Sequence, residues 1–242
     1  MKFNTKKCKH VCITNKVKRL ETSYSLGTER TPLSSEEKDL GVLISHNLAW
    51  HNYIMAKVNT ANKVLRLIKR TCGTCTQPHV LLKLYIHLVR PHVEFAFQVW
   101  SPHQQFLIDL IERVQRRATR LIIKDRPYRE RLQELNLLSL ASRRLFMDLV
   151  FLFKCMMGLY DLDLSYYLVS TDSSTCKYNL RYTNYQFKIR YARTNVLKFS
   201  YFFRIVKSWN SLPLHLRKTE SLDHFKDCLK SFLHVKDIST FS

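Results

Sequence analysis

Glycine and negative charge are both scarce in this chain. Only four of its 242 residues are glycine, and they lie too far apart to form a glycine-rich loop. A phosphate-cradling loop and a dinucleotide-binding fingerprint are therefore excluded. No Asp-Asp pair occurs, and neither a Gly-x-Ser-x-Gly turn nor a His-Glu-x-x-His helix is present. We expect no enzyme active site, no cofactor and no small-molecule substrate.

Long apolar runs are also missing. The longest, Leu149–Tyr160, is interrupted by Lys154, whereas a membrane-spanning helix needs about 20 apolar residues. The first residues lack the apolar core of a signal peptide. The seven cysteines are odd in number and irregularly spaced, which is not typical of a secreted disulfide framework. The sequence therefore predicts a protein of the nucleus or cytoplasm, away from membranes.

Positive charge is abundant instead. Lysine and arginine number 40 against 19 acidic residues, giving a net charge of +21. The densest stretch, Ser173–Thr219, contains ten basic and ten aromatic residues and no acid. Cations attract a polyanion by releasing its counterions, and aromatic rings can stack on bases. This composition predicts a nucleic-acid-binding surface.

The hydrophobic pattern predicts a mainly α chain of α+β class. Residues 1–48 are expected to form strands and turns, including a strand in the apolar run Leu40–Ile44. Apolar residues at three- and four-residue spacing then predict helices. These cover about 53–72, 78–88, 104–124, 128–135, 139–158, 199–210 and a last segment from 221. Strict alternation over Tyr185–Tyr191 predicts one strand of a hairpin near 178–196, with its aromatic face buried and its cationic face in water.

A possible zinc site deserves consideration. Cys72 and Cys75 are followed by His87 and His92, close to the spacing of a zinc finger. The finger's internal aromatic and leucine are missing, and Pro91 interrupts the helix that would carry both histidines. Free cysteine commonly behaves as a small buried apolar residue. We therefore expect no metal site, and a zinc-binding adaptor remains an alternative.

Nine segments occur in an order and spacing that resemble a known family. They are Lys2–Cys8, Lys38–Val42, Leu88–Phe95, Val99–Pro102, Ile111–Ile122, Arg131–Leu137, Arg193–Val196, Trp209–Pro213 and Ser221–Lys226. Together they resemble the carboxyl-terminal part of the reverse transcriptase of non-LTR retrotransposons, which are LINE-type elements, here jockey-like. The resemblance covers residues 2 to about 233.

The resemblance implies three parts and a function. Residues 1–48 would be the end of the palm, 49–125 a helical thumb-like unit, and 126–242 a second, basic helical unit with the hairpin. The family's Tyr/Phe-x-Asp-Asp polymerase motif is absent, and two-metal chemistry needs such paired carboxylates. We therefore expect a nucleic-acid-binding fragment of an RNA-directed DNA polymerase without polymerase activity alone. The alternative is an inert, truncated relic.

Two groups of cations are predicted to contact RNA or an RNA/DNA hybrid through the phosphate backbone. The helical group comprises Lys57, Lys63, Arg66, Arg70, Arg113, Arg116, Arg117 and Arg120. The second group comprises Lys188, Arg190, Arg193, Lys198 and Arg204.

Overall fold

The described part of the chain is mainly helical with a small β region at its amino-terminal end. A computed structural model describes residues 4, 8–14, 23–72, 77–171 and 185–240. The fold is 59% helical and 9% strand, which confirms the predicted fold class. No helix within these ranges is long and apolar enough to cross a membrane.

The β region consists of three two-stranded sheets among the described residues. The strands are β1 (His10–Val11), β2 (Ser25–Leu26), β3 (Glu29–Arg30), β4 (Leu33–Ser34), β5 (Glu36–Asp39) and β6 (Val42–Ser45). Strands β2 and β3 form a hairpin, as do β5 and β6, whereas β1 pairs with β4 in parallel.

The β5–β6 hairpin corrects the prediction of a strand over Leu40–Ile44. The charged residues of β5, predicted to bound that strand, are its antiparallel partner, with Asp39 opposite Val42. Leu40 and Gly41 form the two-residue turn, with φ of 45° and 87°. A two-residue hairpin turn needs the left-handed conformation that matches the strand twist. Leu40 is consequently 89% exposed.

The seven predicted helices have boundaries close to the predicted ones. They are α1 (His51–Cys72), α2 (Pro78–Leu84), α3 (Pro91–Glu94), α4 (Phe97–Trp100), α5 (Gln105–Ile122), α6 (Tyr128–Glu134), α7 (Leu140–Met156), α8 (Asn195–Lys198), α9 (Tyr201–Asn210), α10 (Leu214–Arg217) and α11 (Leu222–Thr240). Four short helices, α3, α4, α8 and α10, were not predicted. A π-helical turn, Tyr85–Val89, leads from α2 towards α3. Pro91 begins α3, since the first position of a helix does not need the missing N–H.

Two hydrophobic cores organise the chain. The first joins β6 with α1 to α6, and the second joins α7 with α9, α10 and α11. Trp100 is buried in the first core and Trp209 in the second. The cores meet at Leu138–Leu140. This lies beyond the boundary predicted at residue 125, because α6 packs on α5 and contributes Leu132 to the first core.

Four carboxylates tie neighbouring helices to α7 and its N-cap. The pairs are Glu94 of α3 with Arg143, Glu112 of α5 with the Leu140 amide, Asp148 with Arg204 of α9, and Asp237 of α11 with Ser139. Hydrogen bonds with an ionised partner are stronger than neutral ones. Helix α7 is therefore fixed from several sides by charge as well as by apolar packing.

Asp237 is the carboxylate that brings α11 to the start of α7. Its oxygens accept hydrogen bonds from the Ser139 backbone N–H at 2.9 Å, from the Ser139 hydroxyl at 3.0 Å and from the Ser142 hydroxyl. The positive end of the helix dipole favours a negative group at this place. The last helix thus completes the capping of a helix almost a hundred residues earlier, with sequence separations of 95 and 98.

We expect Asp237→Ala to lower the free energy of unfolding by about 1–2 kcal/mol, because it removes a charged cap from a helix shared by both cores. Urea denaturation measures this loss. Asp227→Ala is the control, since Asp227 is exposed on the same helix and its loss should cost less than about 0.5 kcal/mol. Equal costs for the two variants would contradict the capping role.

Candidate nucleic-acid interface

Helices α1 and α5 lie side by side and run in the same direction. Near their starts, the rings of His51 and Phe106 are 5.9 Å apart. Further along, the Arg117 guanidinium donates a hydrogen bond to Asn62 Oδ1 at 3.1 Å. Because both contacts join residues at the same sequence offset, the two helices are parallel. Their carboxyl-terminal halves therefore lie next to each other.

A groove lies between these carboxyl-terminal halves, with a volume of about 790 Å³. Among the described residues that line it, Leu65 and Leu121 are apolar and Asp125 is the single acid. Its five cations are Arg66, Lys69, Arg117, Arg120 and Lys124. We call this the α1–α5 groove.

The positive lining continues past the end of α5. A second cavity, of about 350 Å³, shares Arg120, Lys124 and Asp125 with the groove and extends to Arg131. The Arg131 guanidinium is buried and donates to the Arg116 carbonyl at 3.2 Å. Burial lowers the pKa of Arg131, and the neighbouring cations Arg120 and Arg116 lower it further. Arg131 therefore adds a further cation beside Arg120 and Arg116.

The direction of the helices helps to hold these cations together. Both helices end at the groove, so the negative ends of two helix dipoles point towards it. Lys69 lies in the last turn of α1 and Arg120 in the last turn of α5. The dipoles offset part of the repulsion between like charges, and the remaining repulsion favours binding of an anion.

Three residues of the predicted helical group lie in the α1–α5 groove, namely Arg66, Arg117 and Arg120. Arg117 and Arg120 are three residues apart and lie on the same side of α5. Three more members of the group are exposed on α1 or α5 without lining the groove. They are Lys63, Arg70 and Arg113.

The other two residues of the helical group are engaged with aromatic rings. The Lys57 ammonium lies 5.2 Å from the centre of the Tyr53 ring and 5.8 Å from that of Phe95. The Arg116 guanidinium lies 5.1 Å from the centre of the Tyr128 ring, and Arg116 lines a different cavity from the groove. The predicted cations of α5 therefore do not all line the same cavity.

Lys69 and Lys124 complete the groove, although neither belongs to the predicted helical group. Both are exposed, and neither forms an ion pair with another residue in the described ranges. Lys69 follows Arg66 by three positions, which is the spacing of neighbours on one helix side, whereas Lys124 lies two residues beyond the end of α5. The spacing could have identified Lys69, but only the packing of α1 on α5 shows that these cations converge.

A buried polar network fixes the wall of the groove. Gln115 accepts a hydrogen bond from the Tyr85 hydroxyl at 2.7 Å and donates to the Leu138 carbonyl at 2.9 Å. The Tyr128 hydroxyl donates to Glu112, whose carboxylate also accepts from the Leu140 amide. Burial raises the pKa of Glu112, while these hydrogen bonds lower it. The network joins α5 to α6 and α7, so the groove has a rigid backbone behind its flexible cations.

Most of the second predicted group is exposed to solvent. Lys188, Arg190 and Arg193 form no ion pair with any residue that the structure describes. The Lys198 ammonium is also exposed and lies 5.4 Å from the centre of the Phe199 ring. These four cations remain available for phosphate.

Arg204 is the exception in the second group, because its charge is used in the interior. Its guanidinium donates to both carboxylate oxygens of Asp148, at 3.1 and 3.2 Å from Nη2, and to the Gln98 carbonyl at 3.1 Å. Burial raises the pKa of Asp148 to about 6, although Arg204 acts to lower it. Arg204 therefore holds α9 on α7, and this position does not favour the predicted phosphate contact. The sequence of α9 alone cannot show that Asp148 faces it.

The predicted strand over Tyr185–Tyr191 is not a regular strand. Only Phe187 pairs, in an isolated antiparallel bridge with Ser170, and its ring lies against Trp209. The expected burial of the alternating apolar face is wrong for Tyr185, Ile189 and Tyr191, which are all exposed. The remainder of the predicted hairpin, residues 178–184, lies outside the described residues.

The physical reason is local. Tyr185 has a left-handed φ of 67°, and its carbonyl accepts a hydrogen bond from the Trp209 indole at 2.8 Å. The Asn210 side chain accepts from the Phe187 N–H at 3.0 Å and donates to the Phe187 carbonyl at 2.8 Å. Side chains of α9 thus satisfy the backbone groups that a neighbouring strand would have satisfied.

Metal ligands are not assembled in the described part of the chain. There, no group of three or more His, Cys, Asp and Glu side chains could hold a metal ion. Cys75 of the zinc-finger-like spacing lies outside the described residues. The zinc-binding adaptor therefore stays an untested alternative.

No family model, no curated protein and no solved structure matches the chain. The functional conclusion therefore depends on the charge and shape of the groove, together with the family resemblance of the sequence.

The interior role of Arg204 is testable by a double-mutant cycle. We expect Asp148→Ala to cost about 3 kcal/mol of unfolding free energy, because it leaves a partly buried guanidinium without its partner. The double variant Asp148→Ala/Arg204→Met should cost clearly less than the sum of the single variants. Chemical denaturation measures all four proteins, and the exposed Arg193→Met is the control. Additive costs would contradict the pairing.

Proposed function

We propose that this chain binds RNA or an RNA/DNA hybrid through the phosphate backbone, and that the α1–α5 groove is its principal contact surface. The observation that carries the proposal is the convergence of five cations onto one groove, four from α1 and α5 and one, Lys124, from just beyond the end of α5. Among the described residues, the lining contains a single acid. A solvated helix side with the same net charge would spread its cations apart. Here the fold concentrates them.

The chemistry of the lining suits phosphodiesters. Arginine can donate two parallel hydrogen bonds to phosphate oxygens, and lysine adds a mobile point charge. Asn59 and Asn62 contribute neutral amides beside the cations. Contacts of this kind position a backbone and carry no base sequence information. Binding should therefore be largely independent of sequence.

The family resemblance extends the proposal. A thumb-like position for residues 49–125 agrees with a groove built from α1 and α5, which both lie in that range. On this proposal the chain is a carboxyl-terminal fragment of a non-LTR reverse transcriptase that holds the template–primer. It has no polymerase activity alone because it lacks the Asp-Asp pair. Two packed cores and a groove with a fixed wall support binding over the alternative of an inert relic.

We expect the triple variant Lys69→Gln/Arg120→Gln/Lys124→Gln to bind an RNA/DNA hybrid about 100-fold more weakly near 0.1 M salt, because three fewer counterions are released. The slope of log affinity against log salt should be about −3 to −4.5 for the natural chain. It should be shallower by about 2 to 3 for the variant. Fluorescence anisotropy over about 50 to 200 mM salt measures both quantities.

The control removes the same charge elsewhere. Arg30, Lys83 and Lys218 are exposed cations outside the groove, so Arg30→Gln/Lys83→Gln/Lys218→Gln has the same net charge as the groove variant. We expect a much smaller loss for the control. If both triple variants lose affinity equally, binding follows net charge alone and the groove is not the contact surface.

A further inference from the structure

The segment Lys188–Arg193 has no regular secondary structure, is held at both ends and is largely exposed between them. At its start, the Asn210 amide makes the two hydrogen bonds to the Phe187 backbone, and the Lys188 N–H donates to the Val169 carbonyl at 2.8 Å. At its end, the Thr194 side chain caps α8. The segment therefore has a defined place on the surface of the second core, although it has no strand partner within the described residues.

Tyr191 presents an open aromatic ring in the middle of this segment. It is 88% exposed, the highest value for an aromatic residue in the described ranges. Its side chain makes no hydrogen bond and no ring contact with another described residue. Both ring faces are consequently available for stacking on a flat partner.

The charges around Tyr191 are all of one sign. Lys188, Arg190 and Arg193 are exposed, and none of them pairs with an acid in the described part of the chain. The sequence Ser173–Thr219 contains no acidic residue. A ring with free faces between free cations matches the composition of surfaces that bind single-stranded nucleic acid.

We infer that Lys188–Arg193 is a second nucleic-acid site that binds unpaired nucleotides. Tyr191 stacks on a base, while Lys188, Arg190 and Arg193 neutralise the flanking phosphates. The inference rests on the proposed function, because it assumes that the chain binds nucleic acid. It adds that part of the bound nucleic acid is single-stranded, whereas the α1–α5 groove requires only a phosphate backbone.

A duplex cannot use this site fully. Its bases already stack on one another, and inserting a ring between them costs a few kcal/mol of unstacking free energy. A protein strand added to the exposed backbone is the other chemical possibility. Strand addition relies on main-chain hydrogen bonds and side-chain pockets, and it gives no reason for three unpaired cations beside an open ring. The charges therefore favour a polyanion with free bases.

Tyr166 provides a comparison within the same chain. It is 77% exposed, so its ring is nearly as accessible as that of Tyr191. Asp161 and Asp163 lie a few residues before it, and their negative charge opposes phosphate. Tyr166→Ala therefore removes a similarly exposed ring whose neighbours in the sequence are acidic and not basic.

The experiment compares three probes of equal length by fluorescence anisotropy with the full chain. The probes are an oligothymidylate strand, the same strand with abasic sites in place of its bases, and an RNA/DNA hybrid duplex. We expect Tyr191→Ala to weaken binding of oligothymidylate by about 5- to 150-fold, the range of one base–aromatic stack. Binding of the abasic strand and the duplex should be unchanged. Tyr191→Trp should retain the affinity, and Tyr166→Ala should alter none of the three.

Other results overturn the inference. An equal loss on the intact and abasic strands would show that Tyr191 does not contact bases. If Tyr191→Ala loses affinity for none of the three probes, the segment does not bind unpaired nucleotides, and a protein partner is the remaining interpretation. Failure of the proposed function can be distinguished from failure of this inference, because the groove variant Lys69→Gln/Arg120→Gln/Lys124→Gln is tested on the duplex. If that variant binds duplex normally while Tyr191→Ala still loses the intact strand, the groove proposal fails and the single-strand site stands.

Discussion

The structure depends on the placement of its few carboxylates around α7. The chain has 19 acidic residues against 40 basic ones, and four of the acids are used to attach α3, α5, α9 and α11 to that helix or its cap. A buried carboxylate is tolerated only when it is paired and hydrogen-bonded, and each of these four is. Acids that hold the interior are not available to neutralise the surface. The cations of the groove and of the Tyr191 segment therefore remain exposed on the surface.

Helix α7 also explains why two surfaces with different chemistry can belong to one chain. Its amino-terminal end takes part in the network that fixes α5 and hence the groove wall. Its later turns pack on α9, whose Asn210 and Trp209 position the start of the Tyr191 segment. The groove offers cations on long side chains over a rigid backbone, which suits any phosphate backbone. The Tyr191 segment offers a ring as well, which suits only nucleotides whose bases are free.

Much of the fold could be predicted from the sequence, because helix periodicity is a local property. The long helices α1, α5 and α7 have the expected boundaries within a few residues. The candidate site was only partly predictable. Spacing alone suggests which cations share a helix side, but Lys69 and Lys124 become groove residues only when α1 packs on α5. The sequence does not distinguish Arg204 from the neighbouring exposed cations, and only the structure shows that Asp148 lies opposite it. Alternation over 185–191 indicated a strand, yet the side chains of α9 took the place of a strand partner.

The parallel direction of α1 and α5 has a consequence for how the protein becomes competent to bind. Short loops join antiparallel helices, so a parallel pair requires the intervening chain to travel back along its whole length. Here α2, the π-helical turn, α3 and α4 lie in the chain that leads from the end of α1 back to the start of α5. Contacts between residues so distant in sequence form late in folding, after the entropy of closing a long loop has been overcome. A nascent chain that has been synthesised only as far as α4 would therefore expose the cations of α1 to polyanions before the α5 side of the groove exists.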